Sequence, residues 1–288
     1  MSEKYVIVTD SGADLPKEIL ARYGIISLPL VLHFEDGEVK YNDEVAFPAF
    51  FARLRAKERV RTAAVNAERF ARAFEALLLE GKDIFYIGFS SALSATYGAG
   101  KAAAEALRAR FPERKIFTVD SFCASLGEGL LVTLAAEKKK EGASIEALYE
   151  YVKAQRWHIS HVFTVDDLFF LKRGGRVSGA TAVLGSMLSV KPLMHVDNEG
   201  RLVKTGTVRG RRASVTALFE KMKESKIEED EGQVYICHGD CYEDARALAD
   251  MIEREYSHIH VMIAYVGPVI ASHSGPGTLG LFYLCKER

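Results

Sequence analysis

Short apolar runs alternate with longer helix-like segments through the first half of the chain. The run Tyr5 to Thr9 ends at the polar residues Asp10-Ser11-Gly12, and similar runs cover residues 83–88 and 115–119. The longer segments lie at 47–59, 67–80, 93–111 and 123–140. Buried strands that alternate with helices indicate a mostly parallel sheet with helices on both faces. The first half is therefore predicted to be an α/β domain.

Three further local signals mark turns and helix starts in this half. Asp14-Leu15-Pro16 is typical of a helix start with Asp14 as the N-cap. A second apolar run, residues 25–34, ends at the turn Glu35-Asp36-Gly37. Residues 62–66 form a short connection into the helix at 67–80.

The pattern changes after about Trp157. The segments 191–196 and 201–208 flank Asp197-Asn198-Glu199-Gly200, which predicts a β-hairpin. Around this hairpin we expect helices at 165–171, 180–189, 211–226 and 240–255, a basic turn at 172–176, and strands at 233–237 and 259–265. Hairpins mixed with helices predict an α+β domain. We place the two domains at residues 1–157 and 158–288, with a ligand site between them.

Composition narrows the functional class. The 288 residues are 48% hydrophobic and 27% charged, with a net charge of −1, so the marked basic excess of a nucleic-acid binder is missing. The start of the chain lacks the basic and apolar regions of a signal peptide, and no apolar run approaches the roughly 18 residues of a membrane span. Four cysteines without a C-x-x-C pair favour a reduced, cytoplasmic setting.

Polar loops follow the predicted strands of the first domain. Asp10-Ser11, Ser90-Ser91 and Asp120-Ser121 each come directly after a strand. Parallel sheets bind ligands beyond the carboxyl ends of their strands, so these loops predict a site. Each serine also has a structural interpretation as a helix or turn cap, and Thr62 has the same one.

The segment Ile270 to Gly280 places one imidazole and two hydroxyls beside a glycine-rich turn. It spells G-x-G-x-x-G from Gly275 to Gly280, but a dinucleotide fingerprint opens a βαβ unit of about 30 residues, and the chain ends at Arg288. A small-anion site that uses His273 where glycine permits close backbone approach is the better interpretation. Taken alone, His273 would more often be a structural histidine.

Two other kinds of site are weakly indicated. Cys237-His238-Gly239-Asp240-Cys241 offers metal ligands, but Cys237 continues an apolar strand and Asp240 is expected to be the N-cap of the next helix. Gly88-Phe89-Ser90-Ser91-Ala92 approaches a hydrolase elbow, but Ala92 stands where the sharp turn needs glycine. No acid that would orient His273 is evident.

Several motifs, in order along the whole chain, carry a resemblance to one family. They are Val8-Thr9-Asp10-Ser11 with Asp14-Leu15-Pro16, Ser90-Ser91-Ala92-Leu93-Ser94-Ala95-Thr96-Tyr97 (S-S-x-L-S-G-T-Y), Val119-Asp120-Ser121, Leu171-Lys172-Arg173-Gly174-Gly175-Arg176 (L-x-x-G-G-R), Val208-Arg209-Gly210 and His273-Ser274-Gly275-Pro276-Gly277 (H-x-G-P-G). In this combination the chain resembles the DegV family of bacterial fatty-acid-binding proteins, with its EDD fold. Two departures are Thr62-Ala63-Ala64-Val65-Asn66, where the family commonly has T-S-Q-P-S, and Ala95 in place of glycine.

The resemblance implies a lipid carrier rather than an enzyme. It implies one bound long-chain fatty acid, such as palmitate, stearate or oleate, with no metal or other cofactor. Thr62, Ser94 and His273 would hold the carboxylate, and Ser91, Ala95, Ser274 and Gly277 would lie close by. A separate ATP-dependent fatty acid kinase subunit would phosphorylate the presented carboxylate for phospholipid metabolism, with Arg176 and Arg209 facing that partner or the phosphate. Transient membrane contact would be compatible with this role.

The lipid tail is expected to enter the second domain. Small residues and an adaptable methionine make 182–188 a candidate tunnel wall, with Val183, Leu184, Met187 and Leu188 facing the tail; an ordinary core helix is the alternative. Two other functions remain open from the sequence. One is a serine hydrolase or acyl transferase built on Ser94 and His273, and the other is a carrier of a different amphipathic carboxylate.

Overall fold

The computed structural model describes residues 5–177, 189–227 and 232–288 of the chain. The strands are β1 (Tyr5–Asp10), β2 (Ile26–Leu28), β3 (Val31–His33), β4 (Val39–Tyr41), β5 (Arg61–Ala63), β6 (Asp83–Gly88), β7 (Ile116–Asp120), β8 (Ile159–Thr164), β9 (Val190–Val196), β10 (Leu202–Arg209), β11 (Gln233–His238), β12 (His260–Tyr265) and β13 (Leu279–Leu284). The helices are α1 (Lys17–Tyr23), α2 (Phe47–Arg55), α3 (Ala67–Leu79), α4 (Thr96–Arg110), α5 (Leu126–Lys140), α6 (Ile145–Gln155), α7 (Leu168–Arg173), α8 (Arg211–Ser225), α9 (Tyr242–Glu255) and α10 (Pro268–Ser274).

The first half of the chain forms a parallel sheet with strand order β2-β1-β6-β7. Every residue of β1 is buried, as a strand covered on both faces requires. Helices α3 and α4 pack together against β6, while α5 and α6 pack together and contact β1 and β7. The predicted α/β architecture of this half is confirmed.

The second half forms a six-stranded sheet with order β10-β9-β8-β13-β11-β12, in which β11 and β12 pair in parallel and the other pairs are antiparallel. Its two faces enter different cores. Val234 and Ile236 of β11 pack with α8 and α9, whereas Tyr235 and Cys237 join the core of the first half. This alternation is the two-residue period of a strand, and it confirms the α+β prediction.

Helix α5 lies between the two sheets. Residues 126–133 are buried without interruption, and the helix contacts β1 on one side and β8, β11 and β13 on the other. A helix that is buried on all sides is expected to be mostly apolar rather than amphipathic, and among residues 126–133 only Glu128 and Thr133 have polar side chains. The two halves therefore share one helix as a common layer.

The smaller antiparallel sheet, with order β4-β3-β5, brings a candidate residue to the junction of the halves. In this sheet Thr62 on β5 lies opposite Leu32 on β3, and Leu32 is fully buried. The short connection that was expected at 62–66 is thus partly a strand.

Two predicted N-caps are wrong. Asp14 has a φ of 51° and ends a 3-10 turn, and Pro16 occupies the N-cap of α1. Asp240 has a φ of 58°, and α9 begins after Cys241. An N-cap residue adopts an extended conformation, which these left-handed residues do not have.

Other differences follow from the tertiary structure. The apolar run at 25–34 is divided into β2 and β3 by Pro29 and Leu30. The sequence patterns did not predict β4, β8, β13, α6 or α10. The helix expected at 180–189 falls almost entirely outside the described residues. None of the described helices combines the length and apolar character needed to span a membrane.

Candidate functional site

The carboxyl ends of β1, β6 and β7 meet at one edge of the parallel sheet, as expected. Asp10 is fully buried there, and its carboxylate accepts hydrogen bonds from the backbone nitrogens of Gly12 and Phe89 and from the Tyr86 hydroxyl, each at 3.0 Å. Burial raises the pKa of Asp10 to about 6. Asp10 therefore connects the loops at Gly12 and Phe89 through buried hydrogen bonds rather than facing a ligand.

Ser90 and Ser91, in the loop that follows β6, have different environments. Ser90 is fully buried and donates to the carbonyl of Gly200 at 2.9 Å. Ser91 is exposed, and its backbone nitrogen donates to Asp120 at 3.2 Å. Neither lines the cavity described below, so Ser91 does not join the site that the sequence assigned to it.

A cavity of about 260 Å³ lies between this sheet edge and the inner face of the six-stranded sheet. Its wall is mostly apolar and includes Phe89, Leu93, Phe163, Leu171, Val269 and Phe282. An enclosed apolar wall with a few polar groups is typical of small-molecule sites. Both halves of the chain contribute to it.

Three residues predicted from the motifs, Thr62, Ser94 and His273, line this one cavity. The Thr62 hydroxyl and the Nε2 atom of His273 are hydrogen-bonded at 2.7 Å, although 211 positions separate them. The Ser94 hydroxyl is hydrogen-bonded within its own loop, at 2.8 Å from Thr96 Oγ1 and 3.2 Å from the Thr96 nitrogen, which donates to it. The Thr62–His273 pair thus marks a polar end of the cavity, and the Ser94 hydroxyl belongs to a residue that lines the same cavity.

His273 is neutral at physiological pH. Burial, together with the positive charges of Arg176 and Arg173, lowers its pKa to about 4. Its Nδ1 atom is buried without a hydrogen-bond partner among the described residues and faces Gly174, where a Cβ would lie 2.3 Å from it. The imidazole therefore acts through Nε2, as a hydrogen-bonding group rather than as a cation.

The two arginines that the sequence assigned to a partner lie in different places. Arg176 lines the cavity, where its Nε donates to the carbonyl of Leu93 at 3.2 Å and its Nη1 donates to the carbonyl of Gly174. Arg209 is exposed at the end of β10 and does not line the cavity. Only Arg176 could act close to a ligand.

The remaining candidates divide in the same way. Ala95 lines the cavity in a right-handed helical conformation (φ −72°, ψ −1°), which any residue can adopt, so glycine is not needed there. Ser274 also lines it, buried, and its hydroxyl has no partner among the described residues. Gly277 does not line it; a Cβ there would lie 2.1 Å from the Asp166 carboxylate.

The segment that departs from the family pattern has a clear local role. Ala63 and Ala64 line the cavity, and Val65 is fully buried. Asn66 is the N-cap of α3, where its side chain accepts from the backbone nitrogen of Arg69 at 2.9 Å. With the residues present here, the segment lines the cavity and leads directly into α3.

The alternatives weighed from the sequence can be compared with this geometry. Ser94 and His273 line one cavity, but the described contacts join Ser94 to Thr96 and His273 to Thr62. Within the described parts of the chain, no cluster of three or more His, Cys, Asp or Glu side chains is arranged to hold a metal ion. The turn from Gly275 leads into antiparallel β13 and does not open a helix. The proposed tunnel residues Val183, Leu184, Met187 and Leu188 lie outside the described residues.

Sequence reasoning missed several residues of the cavity wall. Ser125, His161, Cys237, Gly280 and Phe282 all line it. Because β13 was not recognised, the alternation of residues 279–284 was not used to separate its two faces. That period-two pattern was the available signal.

Comparison with known proteins agrees with this architecture. The chain matches the DegV family of uncharacterised proteins over residues 4–286. It is 41% identical to a DegV domain-containing protein of Clostridium perfringens, over 98% of each chain. A fatty-acid-binding DegV family protein of Thermus thermophilus is 30% identical, with a TM-score of 0.88 over 98% of this chain and 99% of that one.

A third likeness concerns the fold. The fatty acid kinase (Fak) B3 protein of Streptococcus pneumoniae, solved with linoleic acid, has a TM-score of 0.86 at 20% identity, over 98% of this chain and 100% of that one. The family match spans nearly the whole chain, both sheets included. The chain therefore belongs to the DegV family.

Proposed function

We propose that this protein binds one long-chain fatty acid in the cavity between its two halves. The carboxylate is held at the polar end by Thr62, Ser94 and His273, and the tail lies along the apolar wall. The observation that carries the proposal is that Thr62, Ser94 and the neutral imidazole of His273 all line one cavity whose wall is mostly apolar. The fatty acid bound by the Thermus thermophilus relative supports this ligand class.

The affinity of such a site comes from the tail. Burying one methylene stabilises a complex by about 0.8 kcal/mol, so a chain of about 15 contributes roughly 12 kcal/mol before the cost of association. Each hydrogen bond to a neutral donor adds only about 0.5–1.5 kcal/mol. The polar end therefore orients the carboxylate, while the wall provides the binding energy.

We further propose that a separate ATP-dependent kinase subunit phosphorylates the presented carboxylate. Support comes from the positions of the cations: Arg176 is engaged by two backbone carbonyls beside the polar end, and Arg209 is exposed outside the cavity. A carboxylate held by hydroxyls rather than by a bidentate arginine clamp keeps an oxygen accessible to phosphoryl transfer. The fold shared with the Streptococcus pneumoniae kinase protein agrees with this role.

The ligand is tested by denaturing extraction of the purified protein and mass spectrometry of the released small molecules. About one fatty acid per chain is the expected result, and its mass identifies the acyl chain. A protein that is empty and takes up neither palmitate nor oleate would contradict the proposal. Release of a different amphipathic carboxylate would keep the cavity as the site but change the ligand class.

Thr62→Val should weaken fatty-acid binding modestly. The substitution keeps the volume of the side chain and removes the hydroxyl, so we expect Kd to rise about 2- to 12-fold, the equivalent of one hydrogen bond. Displacement of a fluorescent fatty acid measures this. Ser91→Ala is the matched control, because that hydroxyl is exposed outside the cavity and its removal should leave Kd unchanged.

The kinase role is tested with Arg209→Ala. Since Arg209 is exposed away from the cavity, the variant should bind fatty acid normally but raise the KM of the kinase for the loaded protein. Arg254→Ala is the control, because α9 covers the opposite face of the six-stranded sheet. Equal KM values for the two variants would count against Arg209 as a docking residue.

A further inference from the structure

The six-stranded sheet presents two rows of side chains to the cavity. Strand register places Phe163 opposite Gly280 and Gly280 opposite Cys237, which makes one row. His161 lies opposite Phe282 in the next row. Directly opposed residues of antiparallel strands point to the same face, and these five residues all line the cavity. The two rows are two residues apart along the strands, or about 6.8 Å.

The two rows lie at different distances from His273 along the chain. Strand β13 follows α10, which carries His273, after the turn at residues 275–278. Gly280 is therefore reached first along β13, and Phe282 lies two residues further from the turn.

Gly280 has no side chain, and the Cys237 thiol and the Phe282 ring occupy the space that a Cβ would take. It lies inside β13 and is not one of the positive-φ residues, so an ordinary side chain could adopt its conformation. A glycine inside a strand weakens the strand and often marks close approach of another group. A Cβ at this position would lie 2.9 Å from Cys237 Sγ and 2.9 Å from the Phe282 ring. Any added side chain would thus displace both neighbours, and the cavity is the space open to them.

Phe282 and His161 pack against each other and form one part of the cavity wall. The two rings pack edge to face with centroids 5.3 Å apart, and both residues are almost fully buried. His161 is held at both ring nitrogens, with Nε2 3.3 Å from the Ala124 nitrogen and Nδ1 3.0 Å from the Ile159 carbonyl. Burial holds its pKa well below the usual value, so the ring is neutral and compatible with an apolar neighbour.

We propose that Gly280 and Phe282 determine the acyl chain length that the cavity accepts. Gly280 lets the Phe282 ring pack close to the strand, and the terminal methyl group of the acyl chain stops against the Phe282–His161 pair. This inference rests on the proposed fatty-acid function and adds to it the residues that select the ligand. Phe282 is then a specificity determinant on the sheet, outside the helical segment that the sequence suggested for the tunnel wall.

The test measures Kd for a series of straight-chain fatty acids of increasing length with two variants. Gly280→Ala pushes its neighbours into the cavity and should move the optimum to shorter chains. Phe282→Leu removes part of the wall and should move the optimum to longer chains. Each methylene group of the ligand that becomes buried or exposed as a result should change Kd about fourfold. Opposite shifts in the two variants are the expected result.

Leu281→Val is the matched control, because Leu281 is on the same strand but packs in the core with α8 and α9. It should lower the melting temperature and leave the length optimum unchanged. If Gly280→Ala does not fold, Phe282→Leu alone decides. Variants that bind fatty acids with the wild-type optimum would overturn the inference and leave the proposed function intact. A wild-type protein that binds no fatty acid would overturn both.

Discussion

His273 shows how burial sets the chemistry of a single residue. Its pKa is lowered to about 4, so the ring carries one proton throughout the physiological range. If Nε2–H donates to the Thr62 oxygen, the hydroxyl proton of Thr62 remains available for an oxygen of the ligand. The imidazole then orients a neutral donor and itself contributes no charge to holding the carboxylate.

A titration of the His273 ring by NMR tests this neutrality. A histidine with an ordinary pKa of about 6.5 would titrate in the neutral range. We expect the His273 resonances to stay unchanged on lowering the pH from 8 towards 5 and to move only as the pH approaches about 4. An inflection of His273 near neutral pH would contradict the assignment.

Glu128 is a buried acid that the proposed function does not use. It is fully buried in α5, where Oε1 accepts from the Thr9 hydroxyl at 3.0 Å and Oε2 has no partner among the described residues. Burial, together with the charge of Asp10, raises the pKa of Glu128 well above its ordinary value of 4.5. The folded protein therefore holds this side chain protonated.

Glu128→Gln should make the protein more stable at neutral pH but not at acid pH. Because the folded pKa is raised, the wild-type carboxyl contributes its full stability below about 4.5 and loses it as the pH rises through the folded pKa. Glutamine keeps the acceptor for Thr9 and cannot ionise. Urea unfolding of both proteins over a range of pH measures the difference, which should grow with pH. A difference that is constant with pH would argue against ionisation as the cause.

Helix α5 shows at the element scale how packing decides which glycines are required. The helix contacts both sheets, and at Gly127 a Cβ would lie 2.0 Å from Nε2 of His161. Gly98 lies in α4, where a Cβ would meet no atom within 4 Å. Intrinsic helix propensity favours alanine over glycine by about 1 kcal/mol at either position. The neighbouring atoms therefore decide whether the substitution raises or lowers the free energy of unfolding.

We expect Gly127→Ala and Gly98→Ala to have opposite effects on the free energy of unfolding. Gly98→Ala should stabilise the protein by up to about 1 kcal/mol, because only propensity changes. Gly127→Ala should destabilise it by about 1–3 kcal/mol, because the buried imidazole has to move in a packed core. Chemical denaturation of the two variants measures both. Stabilisation by Gly127→Ala would show that α5 and β8 are less closely packed than described.

At the scale of the whole molecule, the two halves are joined by more than the cavity. Phe47 of α2 stacks on Tyr265 with centroids 4.5 Å apart, and Asn42 accepts a hydrogen bond from the backbone nitrogen of Val269 at 2.8 Å. Arg55 and Asp240 form an ion pair across the same junction. With α5 buried between the sheets, neither half can separate without exposing apolar surface.

The full chain should accordingly unfold in one transition. Trp157 is the single tryptophan and stacks on Phe122 at the junction, with centroids 5.2 Å apart, so its fluorescence reports on the junction. We expect urea transitions followed by this fluorescence and by far-ultraviolet circular dichroism to coincide. A fragment of residues 1–157 should not fold stably, because α5 would lose its contacts with the second sheet. Two separate transitions would instead mean that the halves at 1–157 and 158–288 are independent domains.

The sequence by itself determined the classes of both halves and most of their helices and strands. These follow from local periodicity, which is set by how each segment buries its apolar face. Ordered motifs also led to the family and to Thr62, Ser94 and His273. Asp14 and Asp240 were misassigned because a polar residue before a helix reads the same in sequence whether its backbone is extended or left-handed.

Only the tertiary structure decided which residues meet. The Thr62–His273 pair joins positions 211 apart, and the low pKa of His273 depends on burial that no local pattern encodes. The row of Phe163, Gly280 and Cys237 exists only through strand register. Local patterns report how one segment divides its apolar and polar faces, whereas a cavity depends on which faces of distant segments are packed against each other.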